Sequence, residues 1–576
     1  MELIVTPRYS DIFDEDEPDL QQLLSTFPST LSIFVLSKIN AEIYLSNNLQ
    51  KDLKILHLLT QRFDYGTKQQ IARNISIFIR ANGEKIQLFT KMANLEFMHL
   101  ELINFRKGNI IDSSPLQELN FFKAYFLIVE RLNKKFTRVY NNNINTEGDF
   151  FQTHTWPTLI QQIIASNRTS LIPNLIKGRA FLNFFENSPL YEKNVKKFLS
   201  YNNQENASAY IMSLLSFLAN SFNKDMRDSN GKFILNEINS NNTLIQNYLL
   251  NIDDYKKKYG ANYRNYTGLL EKPIFSMDSE NCIVLNWDFM AKKLYDGLIF
   301  DFYEYSEIKN ERKFKSFPDF KNFIGSEITE QYFFKKLIKK VLHDKHGVLK
   351  FDEDQKSGYP DAYFRKGKYI YLFEIKDSYF PVDAVNSDSV KEITKAIDKK
   401  YNTEKKGIGQ LIKHIKNLTE KPYENSTYKE LNLKKRNLVI YPIMIYTDSF
   451  FGMPGINNYL NKQFKSKLED NKLDIESLNI KPLTFINMNF FIDYINQFEK
   501  IKFQELLDQY HKFNKNLFKI SLKRKDMSSL FKYNENFESF TSKRVGKKFK
   551  EDQNYLTTIF KVLGFGIEFP KKEESK

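Results

Sequence analysis

The sequence predicts an α/β protein with a mixed β-sheet in its C-terminal half and a large, mostly helical N-terminal region. In roughly the first 250 residues, apolar side chains recur at spacings of three and four, the period of an amphipathic helix. From about residue 311, helical segments alternate with short strand-like segments, an order typical of helices packed around a mixed sheet. The chain has 576 residues, so two or three domains are expected.

The N-terminal region, residues 1–250, carries a helical pattern but no catalytic pattern. The helical period is clearest in three segments, 49–63, 69–80 and 119–136. Asn-rich stretches at 140–149 and 237–244 indicate surface loops between helices. No repeat of fixed period is present, which argues against a solenoid. We interpret this region as a scaffold, a sensor or a partner-binding surface.

The sequence pattern of the C-terminal half predicts the strands of the sheet. Residues 251–314 are interpreted as a connecting segment that holds a short strand-like piece followed by a helix, and a longer helix is predicted within 317–344. Strands are predicted at 361–365, 369–376, 438–448 and 483–488, with helices at about 388–418 and 490–511. We assign residues 315–500 to one domain and residues 501–576 to a basic, helical C-terminal extension.

The charge balance is basic. Lys and Arg outnumber Asp and Glu by 85 to 70, which gives a net charge of +15 and a pI near 9.2. Such a balance modestly favours a polyanionic partner, nucleic acid before membrane, although a solvated Lys-rich surface accounts for it equally well. The last 76 residues carry 17 Lys or Arg against 10 Asp or Glu, with clusters such as Ser-Leu-Lys-Arg-Lys-Asp.

The Cys and His content excludes several kinds of site. One cysteine, Cys282, excludes disulfide frameworks, Cys-based zinc sites and iron–sulfur clusters. Seven His without an HxxxH or HExxH spacing argue against a His-built metal centre. Cys282 lies among apolar residues, so we predict a buried, inert thiol. The acidic N-terminus and the lack of a run of about 18 apolar residues predict a soluble, cytoplasmic protein without a membrane partner.

The predicted strand 369–376 carries charge at the end of an otherwise apolar run. Alternate side chains of a strand point to opposite faces, and both faces of this strand begin apolar, as expected of a central strand. One of the faces then ends in Glu374 and Lys376. Because a buried, unpaired carboxylate or amine costs several kcal/mol, these two side chains need partners.

Asp361 is a candidate neighbour of these two charged side chains. It starts the preceding strand, which returns through the turn Arg-Lys-Gly-Lys, so a hairpin brings Asp361 beside Glu374. Two adjacent carboxylates repel each other unless a proton or a divalent cation lies between them. Carboxylate oxygens and a main-chain carbonyl suit Mg²⁺ or Mn²⁺. Next to such a cation, Lys376 could orient or help to deprotonate an attacking water, or stabilise phosphorane-like charge.

Pro-Asp at 360–361 followed by Glu-Ile-Lys at 374–376 resembles the PD-(D/E)XK phosphodiesterase superfamily, the fold of many restriction enzymes and repair nucleases. The resemblance covers roughly residues 315–495, a third of the chain. It implies a restriction-endonuclease-like α-β-β-β-α-β core in the C-terminal half.

The resemblance also implies residue roles. Asp361 and Glu374 would bind Mg²⁺, with Mn²⁺ as a substitute, helped by the backbone carbonyl of Ile375. Lys376 would be the catalytic amine. Members of the superfamily often carry a Glu on the helix before the hairpin and a Gln on the helix after the core strand.

Two residues match these flanking features. Glu330 shares the apolar face of its predicted helix with Phe334 and Leu337, and Glu327, one turn earlier, is the less favoured option. Gln410 precedes an amphipathic pattern on the following helix.

Each part of the motif also has an ordinary structural explanation. Glu-Ile-Lys recurs at 307–309 without an upstream Pro-Asp or a hydrophobic strand, so the tripeptide alone has no diagnostic value. Glu374 with Lys376 could be an exposed ion pair, Glu330 a solvated first-turn residue and Gln410 a polar helix residue. Aromatic residues interleaved with Lys in the C-terminal extension could stack on bases, but core packing is the preferred interpretation.

The favoured function is a metal-dependent nuclease that hydrolyses phosphodiester bonds, an endonuclease acting on double-stranded DNA. A restriction or anti-phage role follows by analogy with the fold, and the N-terminal region would select substrate, bind a partner protein or form a homodimer. Two alternatives stay open. One is a non-catalytic nucleic-acid-binding or assembly subunit that uses the nuclease fold, and the other is an RNA-targeting nuclease toxin.

Overall fold

The structure is a computed structural model of the chain. It describes residues 5–45, 48–83, 86–108, 113–143, 146, 149–166, 171–222, 226–233, 243–260, 266–279, 281–344, 346–352, 359–420, 438–473, 479–524, 526–545 and 563–564.

The described part of the chain as far as Glu271 is mostly helical. Its helices are α1 (Tyr9–Ile12), α2 (Leu20–Leu24), α3 (Ser29–Leu45), α4 (Leu49–Thr60), α5 (Tyr65–Asn82), α6 (Lys91–Ile103), α7 (Pro115–Asn143), α8 (Phe150–Ser166), α9 (Leu171–Glu186), α10 (Glu192–Tyr201), α11 (Ala207–Phe222), α12 (Thr243–Gln246), α13 (Ile252–Tyr259) and α14 (Thr267–Glu271).

The C-terminal half alternates helices with strands. Its elements are β1 (Ile274–Ser276), β2 (Cys282–Val284), α15 (Trp287–Lys292), α16 (Asp296–Tyr305), α17 (Phe317–Phe323), a π-helix (Ile324–Phe334), α18 (Lys335–Val341), β3 (Gly347–Phe351), β4 (Ala362–Lys366), β5 (Tyr369–Lys376), α19 (Val382–Asn386), α20 (Val390–Tyr401), α21 (Ile408–Glu420), β6 (Val439–Tyr446), α22 (Ile456–Asp470), β7 (Thr484–Asn487), α23 (Met488–Asp493), α24 (Phe503–Arg524), α25 (Met527–Tyr533) and α26 (Phe537–Arg544). Single 3₁₀ turns occur at Pro189–Tyr191, Ile308–Asn310, Arg312–Phe314, Ser449–Gly452 and Phe498–Lys500.

The three predicted N-terminal helices are confirmed as α4, α5 and α7. Side-chain caps fix the starts of α4 and α5, since Asn48 accepts a hydrogen bond from the backbone of α4 and Asp64 accepts one from the backbone of α5. The predicted loop at 140–149 is wrong in its first part, because α7 continues to Asn143. That side chain is buried and donates to the Asp388 carbonyl at 2.8 Å, which holds the end of the helix in the core. Residues 237–242 of the other predicted loop lie outside the described residues.

The prediction of an α/β protein with a mixed sheet is confirmed. Five strands lie in the order β3-β4-β5-β6-β7. The β3/β4 and β4/β5 pairs are antiparallel, whereas β5/β6 and β6/β7 are parallel. A two-residue turn joins β4 to β5, and Gly367 occupies its left-handed position at φ 57°. The central strand β5 is thus hydrogen-bonded on both sides.

Helices cover both faces of the sheet, as the two apolar faces of β5 predict. Tyr371, Phe373 and Ile375 belong to one core, together with side chains of α9, the π-helix, α18, α23 and α24. Ile370 and Leu372 belong to the opposite core, with α8, α20, α21 and α22. Two N-terminal helices, α8 and α9, therefore complete the layers around the C-terminal sheet.

A third core joins helices α1 to α7 with α13 and α14, and it reaches β2 and α15. The core around the sheet includes residues from α9 and α11 as well as from α24 and α26. Hydrophobic packing thus continues across residues 250, 315 and 500, and the domain boundaries drawn there stay predictions.

Several elements differ from the predicted ones. The helix predicted within 317–344 is three consecutive helical segments, and the one predicted at about 388–418 is two helices that separate at Gly407, whose φ of 61° is left-handed. The edge strand β3 was not predicted, because its side chains are only partly buried and lack a clear alternation. Helix α22 was also not predicted. The strand-like piece within 251–314 is confirmed as the hairpin of β1 and β2.

Three simpler predictions can be compared directly. Cys282 is buried, and burial raises the pKa of its thiol to about 11, as expected of an inert cysteine. The C-terminal extension is helical through α24, α25 and α26, and most of the residues after Arg544 lie outside the described ones. Among the described helices, none has the length and apolar character needed to cross a bilayer.

Asp52 makes the stability of the N-terminal core depend on pH. Its side chain is 1% exposed on α4 and accepts a hydrogen bond from the Leu88 backbone at 2.6 Å, and burial raises the pKa of the carboxyl to about 7. Between about pH 4 and pH 7 the folded chain therefore holds a proton that the unfolded chain has lost, so the free energy of unfolding falls as the pH rises through this window.

We expect Asp52→Asn to match the wild type near pH 4 and to be more stable near pH 8, by up to about 4 kcal/mol. Urea denaturation across this range measures the difference. Asp253→Asn, which removes a solvent-exposed carboxylate, serves as the control. An Asp52→Asn difference that is constant with pH would show that Asp52 is ionised in the folded chain throughout.

Candidate functional site

The hairpin of β4 and β5 brings Asp361 beside Glu374. Ala362 is paired with Phe373 in the antiparallel register, so the residues next in line are Asp361 and Glu374. The Asp361 carboxylate accepts a hydrogen bond from the backbone N–H of Ile375 at 2.7 Å. Since the N–H and C=O of one strand residue point toward the same neighbouring strand, the Ile375 carbonyl lies on the Asp361 side of β5.

Glu374 is fully buried and held by two partners. The ammonium of Lys376 donates to Oε1 at 2.6 Å, and Nε2 of His414 lies 3.1 Å from Oε2. Burial raises the pKa of Glu374, but the Lys376 charge and the His414 contact outweigh burial and leave the pKa below its ordinary value. Glu374 is therefore a carboxylate at neutral pH.

The pKa of Asp361 shifts in the opposite direction. Burial and the negative charges of Glu374 and Glu330 hold the pKa of Asp361 well above its ordinary range, although Lys376 and the Ile375 N–H oppose the shift. Burial lowers the pKa of Lys376, but Glu374 and Asp361 outweigh it and raise the pKa above its ordinary value. The Lys376 ammonium therefore interacts with three acidic groups, Asp361, Glu374 and Glu330.

The π-helix brings Glu330 toward this cluster. Its carboxyl interacts electrostatically with both Lys376 and Glu374, and burial raises the pKa of Glu330 despite the Lys376 charge. Glu327, the less favoured option, instead interacts electrostatically with the Tyr191 hydroxyl. Gly325 allows the close approach of this helix to the end of β5, since a Cβ there would lie 3.3 Å from the Asp377 carbonyl oxygen.

Gln410 lies at the start of α21, and its role in the site stays a prediction. Its Oε1 accepts a hydrogen bond from the backbone N–H of Gly407 at 3.0 Å, which caps the start of α21. Among the described residues of α21, His414 makes the polar contact with the motif. His414 lies one turn after Gln410 on the same helix, so the i, i+4 spacing was the signal that could have found it.

Asp377, next to Lys376 on the opposite face, is a second residue that the sequence did not indicate. Lys321 lies 2.7 Å from its carboxylate, and the hydroxyls of Thr329 and Thr447 each donate to it at 2.6 Å. Burial raises the pKa of Asp377, but Lys321 and these hydroxyls lower it below its ordinary value. The network joins the end of β5 to the π-helix and to the end of β6, and so fixes Lys376 relative to Glu330.

The second Glu-Ile-Lys differs in structure from the first. Glu307 precedes a 3₁₀ turn with a left-handed φ of 63°, and its carboxylate pairs with Lys197 at 3.1 Å. Lys309 pairs with Glu304 at 2.7 Å. Both pairs are partly solvent-exposed, so this copy is an ordinary surface sequence.

The donor set fits a hard cation that takes only part of its coordination from the protein. In the described part of the chain, no group of three His, Cys, Asp or Glu side chains comes together closely enough to hold a metal by itself. Mg²⁺ characteristically uses one or two carboxylates and keeps several waters. Asp361, Glu374 and the Ile375 carbonyl are oxygen donors of this kind, and the two carboxylates interact electrostatically at the end of the hairpin.

Comparisons with family models, with curated proteins and with solved structures found no match to this chain.

Asp377→Ala tests the network that holds the end of β5. We expect the free energy of unfolding to fall by about 3–5 kcal/mol, because removal of one partner leaves the Lys321 ammonium buried without its counter-charge. Guanidinium denaturation at neutral pH measures the change. Asp383→Ala, at an exposed position of α19, is the control and should stay within about 0.5 kcal/mol of the wild type. Equal effects of the two variants would contradict the anchoring role.

Proposed function

We propose that this protein is a metal-dependent nuclease that hydrolyses phosphodiester bonds. The observation that carries the proposal is the meeting of Asp361, Glu374 and Lys376 at the end of the central hairpin. The order of elements, namely a helix, three antiparallel strands, helices and a parallel strand, supports a PD-(D/E)XK core.

In this proposal Asp361, Glu374 and the Ile375 carbonyl hold Mg²⁺, with Mn²⁺ as a substitute. When bound, the cation supplies Lewis-acid polarisation of a phosphoryl oxygen and lowers the pKa of a water. Lys376 has a raised pKa, so its amine is protonated at neutral pH, and it acts by orienting the attacking water and stabilising negative charge rather than by accepting a proton. Its side chain is 21% exposed, and its ammonium is held by Glu374 at 2.6 Å.

His414 and Glu330 have supporting roles in the proposal. The His414 ring fixes one oxygen of Glu374, so that the carboxylate keeps its orientation when Lys376 turns toward the substrate. Glu330 adds negative charge at the same point and increases the demand for a cation. Gln410 contributes through the start of α21, which carries His414.

The proposed substrate is double-stranded DNA, cut internally, in a restriction or anti-phage role in the cytoplasm. The DNA preference and the biological role follow from the PD-(D/E)XK resemblance, and the net charge of +15 is compatible with a polyanion. A partner protein or a second copy, bound through the N-terminal region, is part of the same proposal.

Plasmid cleavage tests the catalytic residues. Purified wild-type protein should cut plasmid DNA in Mg²⁺, and cleavage should stop on addition of EDTA. Asp361→Ala and Glu374→Ala should be inactive because the cation loses a ligand. Lys376→Ala should lose about 10²–10⁴-fold in rate. Glu307→Ala and Lys309→Ala provide the matched controls, since they change the second Glu-Ile-Lys. Cleavage by Asp361→Ala at the wild-type rate, or by no protein with any divalent metal, would refute catalysis at this site.

Thermal unfolding tests the cation independently of cleavage. Mg²⁺ should stabilise the wild type by about 2.7 kcal/mol when its concentration is 100-fold above the dissociation constant, and should leave Asp361→Ala unchanged. Because the pKa of Asp361 is raised, the cation has to displace a proton, so the stabilisation should increase with pH. Glu307→Ala should respond as the wild type does. Equal Mg²⁺ stabilisation of wild type and Asp361→Ala would exclude this carboxylate as a ligand.

A non-catalytic nucleic-acid-binding or assembly subunit is the second candidate. The observation in its favour is that both oxygens of Glu374 already have partners within the chain, Lys376 and His414. A protein that binds nucleic acid, is not stabilised by Mg²⁺ and does not cut would support this candidate. Labelled RNA in the cleavage assay separates the DNA nuclease from the RNA-targeting toxin.

A further inference from the structure

A lysine-lined groove lies between α20 and α22. Its volume is about 1240 Å³, and α8, α24 and α25 contribute to its walls. Asp361, Glu374 and Lys376 are not among the residues that line it. The groove is therefore a surface separate from the candidate catalytic site.

The two helices present five exposed lysines to this groove, Lys391, Lys395, Lys399, Lys462 and Lys465. The first three recur every four residues, so they follow one face of α20 with a rise of about 6 Å between neighbours. In the described part of the chain, Lys391, Lys399 and Lys462 form no ion pair with a carboxylate. Lys395 and Lys465 make only long surface pairs, at 3.6 and 3.9 Å, with acids of their own helices. Such pairs contribute little, so all five ammonium groups can serve an external anion.

The acidic side chains of the groove are engaged by the protein itself. Both oxygens of Asp398 accept hydrogen bonds from the Tyr459 hydroxyl, at 2.8 and 2.9 Å, and Asn402 donates to the same carboxylate at 3.0 Å. Asp149 accepts from the Phe151 backbone at the start of α8. Five lysines against two acids leave the groove positively charged, which fits a polyanion.

An exposed aromatic ring lies at the same groove. Phe518 on α24 is 45% exposed, and its ring centroid lies 5.2 Å from that of Tyr533, which supports it from one side. The expectation that the aromatic residues of this segment pack in the core holds for Phe531, which is buried, and is wrong for Phe518. Lysines next to an exposed ring are the combination that binds single-stranded nucleic acid, in which bases are free to stack.

We propose that this groove binds a single-stranded segment of nucleic acid, with phosphates along the lysines of α20 and α22 and a base on Phe518. A duplex could neutralise the lysines, but its bases are stacked inside and leave Phe518 without a partner. The proposed nuclease activity supplies only the class of ligand, because binding at the groove requires neither the cation nor the chemistry of the catalytic site.

Fluorescence anisotropy of the full-length protein with labelled oligothymidylate, in EDTA, tests the proposal. The triple variant Lys391→Gln/Lys395→Gln/Lys399→Gln should bind more weakly, and the slope of log K against log salt concentration should become shallower by about 2, since each phosphate contact in a single strand contributes about 0.7. Phe518→Ala should weaken binding by about tenfold with the salt slope unchanged, because it removes stacking and no charge.

The matched control is Lys193→Gln/Lys196→Gln/Lys197→Gln, which removes three exposed lysines from another helix, α10. Equal losses in the two triple variants would attribute binding to net charge and overturn the proposal. A duplex that binds as tightly as the single strand, with no effect of Phe518→Ala, would overturn the single-strand assignment, and so would full competition by polyglutamate.

The outcomes also separate this proposal from the proposed function. A protein that binds through the groove but never cuts would refute the nuclease and leave the groove intact. A protein that cuts normally, with binding unaffected by the groove variants, would refute the groove and leave the nuclease.

Discussion

Repulsion between buried carboxylates is the constraint around which the C-terminal half is arranged. Asp361 and Glu374 face each other across a hairpin, Glu330 approaches from the preceding helix, and the Lys376 ammonium interacts with all three. Burial increases the cost of each unpaired charge, so the group is stable only with a proton or a cation among its members. Burial and the neighbouring carboxylates raise the pKa of Asp361, whereas Lys376 and His414 lower the pKa of Glu374.

The surrounding fold makes such a charge group possible by keeping its members from moving apart. The strand that carries Glu374 and Lys376 is hydrogen-bonded on both sides and covered by helices on both faces. Its end is fixed by Asp377, which connects the π-helix to β6 through Lys321, Thr329 and Thr447. Helices from the N-terminal region complete both layers, so this region has a structural role in the site's own scaffold.

Charge is used in two different ways on this protein. In the candidate catalytic site, ionisable groups are partly or fully buried, lie close together and include more acidic than basic side chains. In the groove between α20 and α22, ammonium groups are exposed and in excess of positive charge, and the acids beside them are held by hydrogen bonds. The first arrangement suits a cation and the second suits the phosphates of a polymer, which is a physical reason to separate binding from chemistry on this chain.

Strand alternation and hairpin register are local properties, so the sequence predicted four of the five strands of the sheet, the apolar faces of β5 and the approach of Asp361 to Glu374. It did not reveal β3, whose partial burial weakens the alternation. The partners of the site depend on tertiary packing. His414 meets Glu374 because α21 packs on β5, Gln410 caps its own helix, and Phe518 stays outside the core that encloses Phe531. These outcomes depend on how elements distant in the chain pack against each other, and the local sequence pattern does not encode that packing.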